Sequence, residues 1–269
     1  MAGDESVRAG NEETSLSVAN NNATKTLGFI RSSWNMLPEI WYGNFTQQKQ
    51  ITHLNDAIQK PLLRYENVNW TNEGNPVQGW LLYPSNYDST KHYGMLVCVH
   101  GGPAWITTLT WAAPDFNTTV YTQLGYFVFF PNARGSYGQG EAFTLSARGD
   151  WGFSDLHDII KGIDTIVATH AVGNNRIGIL GWRYGGSMAM MSIMQTNRFK
   201  AAVAGAGACN WLSYYGQNSI DKWMNSYFNA SPYDDPEAYK KVSAITYIKN
   251  AKTPTLVVVC ERDGESPPA

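Results

Sequence analysis

A chain of 269 residues with 43% hydrophobic side chains carries enough apolar material for one large core. A net charge of -2, with 16% charged residues and no cluster of Lys or Arg, offers nucleic acid no electrostatic footprint. No apolar run reaches the length of a membrane-spanning helix, and the three cysteines form no metal-ligand spacing, so neither a span nor a metal or cofactor is expected.

Residues 1–26 are polar and acidic and read as a disordered tail. They lack the apolar core of an export signal, which reads as cytoplasmic for the chain as written. Five N-x-S/T sequons, at Asn22, Asn44, Asn69, Asn117 and Asn229, would accept glycans if the parent protein entered a secretory route, and the compartment stays open between the two. Residues 27–61 change to short apolar pieces between polar turns, predicting two or three antiparallel strands, too few to bury their own face.

From residue 62 the pattern changes again. YENVNW and VQGWLLYP flank the turn residues NEGNP and predict a hairpin. MLVCVH, YFVFFPN, RIGILG, KAAVAGA and TPTLVVVC are short apolar strands. Between them lie a helix over Ser154–His170, with Leu156, Ile159, Ile160, Ile163 and Ile166 at helical spacing, and a second helix after Gly185. Strands alternating with helices predict a mostly parallel sheet covered on both faces, with its chemistry at the carboxyl ends of the strands. Cys98 and Cys260 sit in such runs and, with Cys209, are expected as buried thiols outside any disulfide.

Three strand ends carry the chemistry-bearing residues. His100-Gly101-Gly102-Pro103 follows the first parallel strand, and glycines there let backbone N–H groups approach a developing oxyanion. Gly181-Trp182-Arg183-Tyr184-Gly185 joins a strand to a helix in the manner of a nucleophile elbow, G-x-S-x-G, with Arg183 at the central position. Glu261-Arg262-Asp263 follows a late strand, where an acid orients a histidine in such sites, and Asp263 is the candidate. None of His53, His92, His100, His157 and His170 lies downstream of Asp263 in these residues.

VHGGP at 99–103, NARGSYGQG at 132–140, GDWGFSDLHDIIKGID at 149–164, RIGILGWRYGGSMAMM at 176–191, FKAAVAGAGACNW at 199–211 and ERDGESP at 261–267 follow one another over roughly Leu62–Pro267. Together they resemble the catalytic domain of the prolyl oligopeptidase family of serine peptidases, on the side of its acylaminoacyl-peptidase and dipeptidyl-peptidase members. The resemblance implies an α/β-hydrolase fold over residues 62–269, incomplete because the last strand, last helix and triad histidine have no counterpart. It identifies residues 27–61 with the last blade of the family's β-propeller, whose other blades are missing here. It also implies hydrolysis of peptide bonds through an acyl-enzyme, with short peptides as substrates. Carried over residue by residue, Arg183 stands at the nucleophile position, Tyr184 supplies an oxyanion N–H, Asp263 is the triad acid, and His100 lies on the oxyanion side.

A guanidinium stays protonated near neutral pH and has no lone pair for attack, so Arg183 predicts an inactive or nearly inactive site. Ser187, one turn into the helix, and Ser136, in a neighbouring loop, are poorly placed to replace it. Elbow geometry strains any side chain with a Cβ, and a pair between Arg183 and Asp263 would offset part of that cost. Two further readings stand beside the disabled peptidase: a pseudoenzyme that binds peptide or protein through the same pocket and the aromatic segment WLSYYGQNSIDKWMNSYF, and an esterase, which would need the same absent nucleophile.

Overall fold

The computed structural model describes residues 19–21, 26–44, 46–58, 62–108 and 120–267. The chain divides into two compact units, residues 1–64 with 108–119, and residues 65–107 with 120–269.

The first unit holds a four-stranded antiparallel sheet in sequential order, β1 (Ala19–Asn21), β2 (Thr26–Ser33), β3 (Met36–Gly43) and β4 (Gln48–Gln50). β1 lies inside the stretch read as a disordered tail, and it is ordered by pairing with β2 from Ala19 opposite Gly28 to Asn21 opposite Thr26. Residues 1–18 and 22–25 of that tail lie outside the described residues. Phe29 and Trp34 are buried, whereas Ile30 and its cross-strand partner Ile40 are exposed, so one sheet face is covered and the other is open. The Asn35 side chain pins the incoming segment by donating to the Leu63 carbonyl at 2.8 Å and accepting from the Leu63 N–H at 2.7 Å.

The second unit is built on seven strands: β5 (Tyr65–Asn72), β6 (Asn75–Leu82), β7 (Tyr93–Val99), β8 (Tyr126–Asn132), β9 (Val172–Trp182), β10 (Ala201–Gly205) and β11 (Thr255–Val258). Their order in the sheet is β11-β10-β9-β7-β8-β6-β5. β8, β7, β9, β10 and β11 run parallel, and the β5–β6 hairpin adds antiparallel at one edge. The hairpin turns through Glu73 and Gly74, both at positive φ (50° and 79°), which matches the twist a two-residue connection needs. β5 buries alternate residues, Val68 and Trp70, on one face. β7 and β8 are apolar almost throughout because helices cover both sides of the parallel region.

The helices are α1 (Val120–Gln123), α2 (Glu141–Leu145), α3 (Ser154–Thr169), α4 (Tyr184–Gln195), α5 (Trp211–Gln217), α6 (Asn225–Phe228) and α7 (Pro236–Lys241). α3 buries Leu156, Ile159, Ile163 and Ile166, the spacing expected of one helical face. α4 is buried from Tyr184 to Met194 without a polar stripe, which its Gly, Ala, Ser and Met residues permit. Arg134, just past β8, ties the hairpin to α3: its guanidinium donates to both Asp158 carboxylate oxygens at 2.9 Å and to Glu73 at 2.8 Å. Trp70 donates its indole N–H to the Asp158 carbonyl at 3.0 Å.

After β7 the chain crosses to β8 on one side, then returns to β9 on the other. The carboxyl ends of β7 and β9 therefore flank the switch point of the sheet, where open α/β sheets form a crevice.

Cys98 is buried in β7 and Cys209 is half-buried, but Cys260 is exposed, contrary to the sequence expectation. β11 is an edge strand, so side chains around its end, Leu256, Val257 and Val259 among them, stay open. Of the sequons, Asn44, Asn69 and Asn229 are exposed, and Asn22 and Asn117 lie outside the described residues.

Candidate active site

β9 ends in the turn that launches α4. Arg183 takes φ 54° and ψ −119° at the cap of the helix, a conformation costly for any residue with a Cβ. Its N–H donates to the Gly205 carbonyl at 2.9 Å, holding the turn against β10. The turn closes only because two flanking residues lack side chains. A Cβ at Gly181 would overlap the Gly185 backbone, and one at Gly185 would overlap the Val99 carbonyl.

The Arg183 guanidinium is 51% exposed and pairs with the carboxylate of Glu265, itself 44% exposed. The expected partner was Asp263. That carboxylate is instead turned inward to cap its own loop, accepting from the Glu265 N–H at 2.9 Å and the Ser266 N–H at 2.8 Å. Asp263 Oδ1 is taken up by amides two and three residues on, and Glu265 is the carboxylate that pairs with Arg183.

At the end of β7, Gly101 lies against the elbow, where a Cβ would sit 3.5 Å from the Arg183 Cβ. His100 contacts the Gly101 carbonyl through Nδ1 at 2.6 Å and the Ser136 hydroxyl through Nε2 at 2.9 Å. A carbonyl only accepts, so Nδ1 carries the proton and Nε2 accepts from Ser136. Burial lowers the His100 pKa and keeps the ring neutral. Both ring nitrogens are engaged, and the imidazole joins the HGGP turn to the loop after β8. Ser136 is buried, as is Ser187, whose nearest partner is the Arg183 carbonyl.

Tyr184 is buried beneath the elbow and donates its hydroxyl to Asp155, which also accepts from the Gly152 N–H at 2.8 Å and the Leu156 N–H at 2.9 Å. Burial pushes Asp155 up to about 7, while burial and the Asp155 charge raise the Tyr184 phenol well above its usual value. The ring packs edge-on against Trp151 at 5.5 Å. The residue after the elbow position is thus held by its side chain as well as by the helix it begins.

A cavity of about 150 Å³ opens at this point, lined by Gly102, Arg183, Tyr184, Glu265 and Ser266 on one side and by Trp211, Tyr214, Ile220 and Trp223 on another. It gathers the HGGP turn and the elbow in one place. His100, Asp263, Ser136 and Ser187 are not among its lining residues. The segment after β10 serves two purposes: Trp211, Trp223, Tyr227 and Phe228 pack around Trp151 at 4.9 to 5.5 Å, and Trp211 and Trp223 also face the cavity. Burial raises the Tyr214 phenol, with Glu265, Arg183 and Asp263 charges acting on it as well. Glu265 and Asp155 were not singled out from the sequence. An acid two residues past Asp263 carries no local signal of its direction, and Asp155 reads as the first turn of an amphipathic helix.

Known proteins match this architecture. Residues 111–269 match the prolyl oligopeptidase family. An uncharacterized peptidase of Bacillus subtilis, YuxL, is 31% identical over 82% of this chain and 34% of its own length. Dipeptidyl-peptidase 5 of Porphyromonas endodontalis is 27% identical over 72% of this chain and 28% of its own. The chain thus spans about a third of the length of these curated relatives. Among solved structures, the acylaminoacyl peptidase of Pyrococcus horikoshii superposes with a TM-score of 0.87 at 24% identity, over 97% of this chain and 42% of that one. That likeness shows the α/β-hydrolase fold of the second unit. With the match extending over more than half of its residues, the chain belongs to the prolyl oligopeptidase family, a family of serine peptidases.

Proposed function

We propose that this chain carries the site of a serine peptidase disabled at its nucleophile, unable to form the acyl-enzyme through which its relatives cleave peptide bonds. The carrying observation is Arg183 at the elbow, with positive φ and its guanidinium on Glu265. A protonated guanidinium cannot attack a carbonyl, and Ser136 and Ser187, the serines weighed as substitutes, are buried and do not line the cavity. In this reading Tyr184 and Asp263 keep the positions of oxyanion donor and triad acid, and His100 holds the oxyanion turn in place rather than contacting substrate. An esterase would need the same nucleophile and gains no support from this geometry.

A second reading, peptide binding without turnover, is favoured by the cavity itself, whose aromatic wall of Trp211, Tyr214 and Trp223 remains in place beside Arg183. Short peptides are the ligands that both readings imply. The four-stranded unit is read as a blade of a β-propeller belonging to a longer protein, an assignment supported by its open Ile30–Ile40 face and by the greater length of the relatives.

The test is a paired assay of the chain and its Arg183→Ser variant, each with and without an appended C-terminal segment that carries the triad histidine. The readouts are a serine-directed phosphonate and a panel of short peptide substrates. Labelling and turnover are expected only in the extended serine form. Stoichiometric turnover with Arg183 in place would overturn the proposal.

A further inference from the structure

We infer that the Arg183 cavity is a receptor for the free C-terminal carboxylate of a short peptide whose last residue is aromatic or large and apolar, and that Glu265 occupies the carboxylate position when no peptide is bound. This rests on the second reading above, binding without turnover, and names its ligand class.

The cavity pairs one fixed positive charge with an apolar wall. Arg183 lines it together with Trp211, Tyr214, Trp223 and the more exposed Ile220. A guanidinium presents a planar fork of donors that fits a carboxylate, and such charge-assisted pairs are among the stronger hydrogen bonds. The protein itself shows that a carboxylate reaches this group, because the Glu265 side chain is seated on Arg183. Arg183 is the N-cap of α4, a 12-residue helix whose positive end also favours an anion.

Glu265 is a replaceable occupant. The ion pair is about half open to solvent, where water competes for both charges and such contacts are weak. Its loop is held independently of the pair, through the Asp263 side chain to the Glu265 and Ser266 amides and through the Gly264 carbonyl to the Ser219 N–H at 2.8 Å. The carboxylate can therefore swing aside without unfolding the turn.

Size limits the ligand. About 150 Å³ is well below the roughly 300–1,000 Å³ of sites that enclose a drug-sized molecule, so the cavity takes one side chain with its adjoining carboxylate rather than a run of residues. A C-terminal residue supplies that combination. An N-terminal amine would meet Arg183 as a like charge.

The test is titration of the 269-residue chain with N-acetyl-Gly-Phe as the free acid and as its C-terminal amide, followed by calorimetry and by tryptophan fluorescence, since Trp211 and Trp223 line the cavity. The acid is expected to bind about tenfold or more tighter than the amide, the size of one lost charge-assisted hydrogen bond. Glu265→Gln should tighten the acid several-fold and leave the amide unchanged. Arg183→Met should reduce the acid to the level of the amide. Circular dichroism confirms that each variant is folded. Equal binding of acid and amide, absence of binding, or an Arg183→Met variant that keeps the preference would each overturn the inference. Peptide cleavage, followed on the same samples by chromatography, reads the absence of turnover separately: cleavage defeats the proposed function, whereas equal binding without cleavage defeats only the carboxylate assignment.

Discussion

The Tyr184 hydroxyl donates to the Asp155 carboxylate directly beneath the elbow, and both side chains are buried. Burial raises Asp155 to about 7 from an ordinary 3.8, so between these values the folded chain holds a proton that the unfolded chain releases. The associated stability is complete below the ordinary value and is lost as pH rises through about 7. Urea unfolding of wild type and Asp155→Asn at a series of pH values is expected to show wild type losing stability relative to the variant from about pH 4 to 7. A difference constant with pH would refute the assignment. The lowered carboxylates Glu39, Glu73, Asp88 and Asp150 act at the acid end, where their stabilisation is lost as pH falls. His100, lowered by burial, likewise loses its contribution as pH falls below its ordinary 6.5, so the comparison with the variant reads Asp155 rather than the raw slope.

Positive φ at Arg183 is expected to yield stability when relieved. Glycine adopts this conformation without the Cβ clash, while serine keeps it. Arg183→Gly should therefore be more stable than Arg183→Ser by about 1 kcal/mol, both having lost the Glu265 pair equally. Chemical denaturation of the two variants makes the comparison, and equal midpoints would show an unstrained turn.

Asp158 is buried completely and depends on Arg134 for its charge partner. Arg134→Met should cost about 3–5 kcal/mol, because the carboxylate is left buried with only the Arg134 N–H and the Asn72 amide. Arg134→Lys should recover less than half of that, since a point charge cannot span both oxygens and reach Glu73 as well. Thermal and denaturant unfolding would measure both, and full rescue by lysine would show that charge alone suffices.

β11 offers an open edge with Leu256 and Val257 exposed. Such an edge invites pairing with a second chain. Sedimentation of the 269-residue chain is expected to show concentration-dependent association, reduced in Val257→Lys. A monodisperse monomer that unfolds cooperatively would remove the edge as a site of association.

Much of this architecture was legible in the sequence because its signals are local. The period of α3, the unbroken apolar run of β8 and the flanking Gly181 and Gly185 each report a backbone requirement that neighbouring residues must satisfy. The elbow could be recognised even with Arg183 in it, since the turn is demanded by the glycines and the strand-to-helix change rather than by the central side chain. The β1 pairing was not legible: ANN carries no strand preference, and only the partner strand β2 orders it.

The tertiary structure alone decided which side chains meet. Whether Asp263 or Glu265 reaches Arg183 depends on a turn in which one carboxylate caps the amides of the other's segment, a matter of direction within a few residues. His100 bonds Ser136 across 36 residues and Tyr184 bonds Asp155 across 29, partnerships made by sheet order and helix packing. Cys260 is exposed because β11 is at the edge, a fact about neighbours and not about its own apolar run. Local sequence determines backbone shape through short-range sterics and periodicity, whereas charge partners and burial follow from distances between segments that no local pattern encodes.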